Sequence, residues 1–272
     1  MREILFREAI NESLRENLQM DERVFVMGED VGIFGGMFQV TAGLAKDFGL
    51  ERVMDTPISE SAIVGGGIGA AMNGMRPVVE IMNTDFLFVC MDQVANQAAK
   101  MHYMFGGQVS IPMVIRTSCG GGRGAAAHHS QSLHALFMHI PGLKLAVPST
   151  PYDAKGLLNT AIADENPVLF FEDKILYNIK GPVPEEYYTV PFGQAEIKRP
   201  GKDLTIVATF RMVQKAINAA NDLQKEGTDI EVIDPRTLCP LDKKTIIESV
   251  KKTGKLITVD EEIGRASCRE RV

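Results

Sequence analysis

Ile10, Leu14 and Leu18 recur every four residues, which stacks them on one side of a helix and predicts an amphipathic helix over residues 7–19. The run RVFVMGED that follows is short, apolar and closed by turn residues, so it reads as a buried strand. The same step then repeats. RVMD is a short strand, Ser61 to Asn73 a helix, RPVVEIM a strand, Asp85 to Phe105 a long helix and IPMVIRTS a strand. Further on, LKLAVPS is a strand, a helix carries Ala154, Leu157, Leu158, Ala161 and Ile162 on one face, and PVLFF is a strand. Strands alternating with helices predict an α/β fold: a mostly parallel sheet with helices on both faces.

From Asp173 to Gly201 the periodicity gives way to Pro, Gly and charge, which marks a boundary. A second unit follows: the strand LTIVAT, a helix bearing Val213, Ala216, Ile217 and Ala220, the strand IEVID, a helix near 242–252 and the strand KLITVD. The expected organisation is a first domain over 1–180, a linker over 181–202 and a second α/β domain over 203–272. With about 70 residues and three strands, the second is small for an independent parallel-sheet domain and reads as truncated. Its last stretch, IGRASCRERV, is basic and aperiodic, an atypical tail from about 263.

Composition narrows the function classes. With 45% hydrophobic and 24% charged residues the chain can bury a sizeable core. A net charge of −6 with no basic block argues against nucleic acid as a partner. The longest apolar runs, such as FLFVCM at 86–91, fall short of the roughly 20 residues that span a bilayer. The N-terminus MREILFREAINE is too charged for a signal peptide, so a cytoplasmic location is expected. Cys90, Cys119, Cys239 and Cys268 are scattered without CxxC spacing, which predicts reduced thiols and neither a zinc site nor a disulfide framework.

Three stretches could carry chemistry. In DTPISESAIVGGGIGAAMNG a single acid, Glu60, stands where a strand gives way to a helix. It is either part of a helix start, with Ser59 as N-cap, or a functional carboxylate at the end of a sheet where ligands bind. The small residues behind it allow close packing of that helix and do not match a GxGxxG fingerprint in register. In SCGGGRGAAAHHSQSLHALFMH a glycine-rich lead-in precedes His128, His129, His134 and His139. Acid/base work, satisfied structural histidines and a metal site all compete there, the last lacking a complementary acid or thiol at usual spacing. The apolar positions of NTDFLFVCMDQVANQAAKMHYMFGG surround their helix, as in a subunit interface or a central core helix.

Taken in order, DTPISE, DQVANQAAKMHYMFGG, AAAHHSQS, PGLKLAVPSTPYDAKGLL, NPVLFFEDK and IDPRTLCPLD resemble the β subunit of thiamine-diphosphate-dependent 2-oxoacid dehydrogenases, over residues 3–262. NTDFLFVCMDQ, YMFGGQ and FEDKILYNIKGPVPEEYYTVPFG look most like acetoin dehydrogenase, with the pyruvate dehydrogenase E1 β chain next. The resemblance implies a pyrimidine-binding domain followed by an incomplete transketolase C-terminal-like domain. It implies that Glu60 hydrogen-bonds N1′ of the cofactor's aminopyrimidine and drives the tautomerisation by which C2 loses its proton. A buried carboxyl suits that sharing of a proton better than a solvated one. By the same matching Phe86 packs on the aminopyrimidine, and Glu29 and Ile58 line that end of the pocket. His129 is implied as an acid/base or substrate-positioning group during transfer to lipoamide, although His128 beside it departs from the usual pattern. Val89 falls where some relatives hold a polar residue, and no contact is carried over to it.

AIADENP resembles a segment that holds a structural potassium ion, at Ala161, Ile162, Asp164 and Asn166 with Met113 as a further contributor; an ordinary helix end explains it equally well. No GDG followed by NN is present, so Mg²⁺ and the diphosphate are expected from an E1 α subunit. The implied assembly is an α2β2 heterotetramer serving a lipoyl-bearing E2. The implied activity is oxidative cleavage of acetoin or of a 2-oxoacid, a non-catalytic α/β scaffold being the rival class.

Overall fold

Valines, isoleucines and phenylalanines on both faces of successive strands force a sheet that is covered on both sides. The computed structural model describes residues 2–262; the expected atypical tail and Cys268 lie outside the described residues. The chain begins with β1 (Arg2–Leu5) and α1 (Phe6–Met20), then β2 (Val24–Gly28), α2 (Leu44–Phe48), β3 (Val53–Asp55), α3 (Glu60–Met72) and β4 (Arg76–Ile81). After a stretch of short helical turns come α4 (Met101–Met104), β5 (Val114–Cys119), α5 (His134–Met138), β6 (Lys144–Ala146), α6 (Pro151–Ala163), β7 (Val168–Asp173) and β8 (Lys180–Val183). The remainder is β9 (Glu196–Arg199), β10 (Leu204–Ala208), α7 (Arg211–Gln224), β11 (Ile230–Asp234), β12 (Thr237–Cys239), α8 (Lys243–Thr253) and β13 (Leu256–Val259).

Seven strands form the main sheet in the order β12-β6-β7-β5-β4-β2-β3. Every pairing in it is parallel except that of β12 with β6. All residues of β5 and β7 are buried, as central strands of a covered sheet require. The sequence placed a strand at neither end of this unit. β1 pairs antiparallel with β8, and β12 carries the C-terminal half into the first sheet as its edge. The four-stranded second sheet runs β13-β10-β11-β9 and packs its own small core, Ile206, Val232, Val213 and Ala216 among them.

The long helix expected over 85–105 is a correction. A 3₁₀ turn at Thr84–Phe88, a π turn at Gln93–Ala98 and the four residues of α4 stand in its place. One side-chain bond competes with a regular ladder, and a second spans the π turn. Ser61 Oγ donates to the Val89 carbonyl at 2.8 Å, the acceptor a continuous α-helix would give to Gln93, and Asn96 Nδ2 donates to Asp92 Oδ1 at 2.8 Å across the π turn.

Glycine has a packing role at one position of α3. A Cβ at Gly67 would sit 2.9 Å from Val79 Cγ1 and 3.1 Å from Met113 Cε, whereas one at Gly69 meets nothing within 4 Å. Gly67→Ala therefore costs about 1–3 kcal/mol by overpacking, and Gly69→Ala gains about 0.5–1 kcal/mol by restricting the unfolded chain. Thermal melts check this through opposite signs; shifts of the same sign would contradict the packing of α3 on β4.

Candidate active site

The strands β3, β2, β4 and β5 lie side by side and parallel, so their carboxyl ends share one edge of the sheet. The chain leaves β2 towards β3 and leaves β4 towards β5, and the divergence opens a crevice of the kind in which open α/β sheets bind ligands. Glu29 directly follows β2, Glu60 follows β3, Phe86 lies in the turn after β4 and His129 in the loop after β5. Residues far apart in sequence thus come to one edge.

Glu60 opens α3 and is 7% exposed. Ser59 does not cap the helix with its side chain; its hydroxyl donates to the Pro57 carbonyl at 3.1 Å. Among the described residues the Glu60 carboxylate has no hydrogen-bond or ion-pair partner, and the positive end of the α3 dipole is its nearest compensation. Its charge is felt nearby. Burial, then the Glu60, Asp30 and Glu80 charges, holds Glu29 above the usual carboxylate range. Burial together with the Glu60 charge pushes the Cys90 thiol up to about 12, so this cysteine is no nucleophile.

Phe86 and His129 meet edge to face, ring centroids 5.5 Å apart at 82°. The loop that brings His129 there is held from below. Lys174 Nζ donates to the His129 carbonyl at 2.6 Å and to Asn83 Oδ1 at 2.9 Å, and Gln131 Nε2 donates to Asp85 Oδ1 at 2.7 Å. Burial draws the Lys174 ammonium below its ordinary range. The other histidines of the window go elsewhere. His128 and His139 face solvent, and His134 Nε2 meets Asp260 Oδ2 at 2.9 Å. Burial raises Asp260, but the His134 hydrogen bond and charge outweigh it and bring that carboxyl down to about 2. A separate apolar cleft of about 380 Å³, lined by His134, Met138, Leu241, Ile246 and Val259, contains none of the four crevice residues.

The crevice has an apolar rim. Ile58 is 81% exposed and Ile33 83%, with Phe34, Met37, Phe88 and Val89 also open to solvent. Asp55 fixes part of this rim by accepting the backbone N–H of Gly32 at 2.6 Å and of Ile33 at 3.2 Å. Apolar side chains that the fold itself could cover are seldom left out in such numbers at one place.

Beneath the crevice runs a charged network that sequence reasoning missed. Arg116 on β5 donates through Nη1 to Glu80 on β4 at 2.7 Å, and through Nε and Nη2 to Glu172 on β7 at 2.7 and 2.9 Å. Tyr177 Oη adds a fourth bond, to Glu172 at 2.7 Å. Burial pushes Glu172 up, and the Arg116 charge opposes it. The signal was available: VVEIM and VIRTS each put one charge, and LFFED two, into a run that otherwise reads as buried.

At the end of α6, protein donors already reach part of the AIADENP segment. Arg76 Nη1 donates to the carbonyls of Ile162 at 3.0 Å and Asp164 at 3.3 Å, the Asp164 N–H bonds the Ala161 carbonyl at 3.3 Å, and Asn166 donates to Asp164 Oδ1 at 2.9 Å. The Met113 carbonyl accepts from the Val168 N–H at 3.0 Å. No group of three or more His, Cys, Asp or Glu side chains arranged to hold a metal occurs among the described residues. No described helix is long and apolar enough to cross a membrane.

Known proteins share both units. The family of the transketolase pyrimidine binding domain matches residues 2–180, and that of the transketolase C-terminal domain residues 193–272. The chain is 50% identical over 278 aligned residues to the acetoin:2,6-dichlorophenolindophenol oxidoreductase subunit beta of Bacillus subtilis (strain 168), covering 98% of this chain and 81% of the relative. It is 50% identical over 266 residues to the 2-oxoisovalerate dehydrogenase subunit beta of the same organism, covering 97% and 81%. It is 48% identical over 256 residues to the pyruvate dehydrogenase E1 component subunit beta of Rhizobium meliloti (strain 1021), covering 94% and 56%. A solved split-gene transketolase, described as an inactive beta4 tetramer, superposes with a TM-score of 0.80 at 23% identity, over 98% of this chain and 86% of that one, a likeness of fold.

Proposed function

Because this chain belongs to the β-subunit family of the thiamine-diphosphate-dependent acetoin and 2-oxoacid dehydrogenases, we propose that the crevice around Glu60 is the aminopyrimidine half of a cofactor site. The observation that carries this reading is a carboxylate 7% exposed, set at a helix start and without a partner among the described residues. Such a group is left to pair with water or with whatever occupies the crevice. A basic ring nitrogen is the complementary partner. Phe86 packs against His129 at the same sheet edge, and on this reading Glu29 and Ile58 line the pyrimidine end.

When bound, thiamine diphosphate supplies a nucleophilic carbon that permits cleavage of a bond beside a carbonyl. The chain's own residues do the rest of what falls to this half. Glu60 shares a proton with the ring nitrogen, Phe86 fixes the plane of the ring, and His129 stands where it can exchange a proton with substrate or position it. The diphosphate and Mg²⁺ fall to an E1 α subunit, for which the exposed rim of Ile33, Phe34, Ile58 and Phe88 is the complementary surface. The assembly is an α2β2 tetramer in the cytoplasm that passes its two-carbon unit to a lipoyl-bearing E2. A structural potassium ion at Ala161, Ile162, Asp164 and Asn166 would share the Ile162 and Asp164 carbonyls with Arg76.

Acetoin is the substrate we assign, on the strength of NTDFLFVCMDQ and YMFGGQ. The chain, its cognate α subunit, thiamine diphosphate and Mg²⁺ should reduce an artificial electron acceptor at least tenfold faster with acetoin than with pyruvate or 2-oxoisovalerate. Preference for either oxoacid would replace acetoin, and inactivity of an assembled complex with all three would count against catalysis.

A further inference from the structure

His129 sits on a loop whose two feet are gripped by charged side chains of the second unit, and we propose that Arg211 is a positioning residue that sets where His129 stands. This rests on the reading of His129 given above. At the outgoing foot Arg211 Nη1 donates to the Gly121 carbonyl at 3.0 Å. At the returning foot the Ser132 N–H donates to Glu262 Oε2 at 2.9 Å and its hydroxyl to Glu261 Oε1 at 3.3 Å. Arg211 and Glu261 are joined by an ion pair, and Arg211 Nε lies 3.8 Å from Asp173 Oδ2. One connected cluster therefore holds both feet, while the Gly120 N–H closes them on the Gln131 carbonyl at 3.0 Å.

Between the outgoing foot and His129, whose carbonyl Lys174 already holds, the loop has little to fix it. Gly122 and Gly124 take φ of +87° and +67°, Ala126 takes +61°, and residues 122–128 are exposed. Lys174 fixes the His129 carbonyl from below, and the feet set the course of the exposed segment that leads to it. Strain is concentrated beside the clamp. Phe210, fully buried, holds φ 49° and ψ −136° at the residue before Arg211, a conformation that costs a bulky side chain on the order of 1–3 kcal/mol. Burial and the Asp173 charge push Glu261 up, and the Arg211 charge offsets them. A cleft of about 800 Å³ opens between this cluster and His128.

The test is a double-mutant cycle in the complex of the full chain with its α subunit, measuring acetoin-dependent turnover onto lipoamide and thiamine diphosphate affinity. His129→Ala should lower kcat roughly 100-fold. R211Q should lower kcat roughly tenfold with acetoin KM and cofactor Kd within about threefold of wild type, because a displaced group loses rate before binding. R211K, which keeps the charge beside Glu261 but loses the fork, should fall between; it carries the cycle if R211Q does not assemble. In the His129→Ala background either Arg211 change should cost less than about twofold. A full tenfold loss in that background, or wild-type kcat in R211Q, overturns the positioning role. Wild-type turnover by His129→Ala alone overturns the reading of His129 itself, a result visible before Arg211 is touched.

Discussion

Glu60→Gln should lower turnover of the reconstituted complex by about 10²–10⁴, the range over which a placed acid/base group acts, while leaving α2β2 assembly and melting temperature nearly unchanged. Glutamine keeps the size and the exposure of the side chain, so the helix start loses only charge. The loss of charge removes one of the pushes on Glu29 and Cys90, and nothing among the described residues depends on Glu60 as an ion-pair partner. A variant that assembles and keeps more than a tenth of the activity would return Glu60 to the status of a helix-start residue. The variant that should instead fail in stability lies one layer below.

Replacing Arg116 with Met should destabilise the chain by about 3–5 kcal/mol near neutral pH, since it leaves two carboxylates facing each other in the sheet without their cation. Arg116 and the Glu172 side chain are each 1% exposed, so water cannot substitute for the lost partner. The effect has a sign in pH. Burial already holds Glu172 above its ordinary range in the intact protein, and without Arg116 only the Tyr177 hydrogen bond opposes that rise. A carboxyl raised in the folded state destabilises as it ionises, so the deficit should be smallest below pH 4.5 and grow as pH rises through the folded-state values. Urea unfolding at pH 5 and pH 7.5 reads this directly. Replacing Arg116, Glu80 and Glu172 together with apolar residues should recover most of the loss. A deficit independent of pH would show that packing, and not charge, governs the site.

What the sequence disclosed depended on the range of the interaction. The helix carrying Ile10, Leu14 and Leu18, and the strands RPVVEIM and IPMVIRTS, were legible because local periodicity and burial agree there. The stretch 85–105 departs from the helix its sequence predicts where Ser61, far back in the chain, takes the Val89 carbonyl, a contact that no periodicity records. β1 was hidden in the first residues of a helix-like pattern, its reason for being a strand lying in β8, far along the chain. At the site, Glu60, Phe86 and His129 were reached through the resemblance, which their spacing alone could not have supplied. The support behind them, Lys174 under His129 and Arg211 on Gly121, was invisible for the same reason that β8 was. Each such contact joins residues tens of positions apart.

The central claim is that Glu60 promotes loss of the C2 proton from bound thiamine diphosphate. The most direct measurement is the exchange of that proton for deuterium in the assembled complex, followed by rapid acid quench and NMR, in wild type and Glu60→Gln with equal cofactor occupancy. The account predicts exchange within the quench time for wild type and slowing by at least 100-fold in the variant. Equal exchange rates in the two complexes would contradict it.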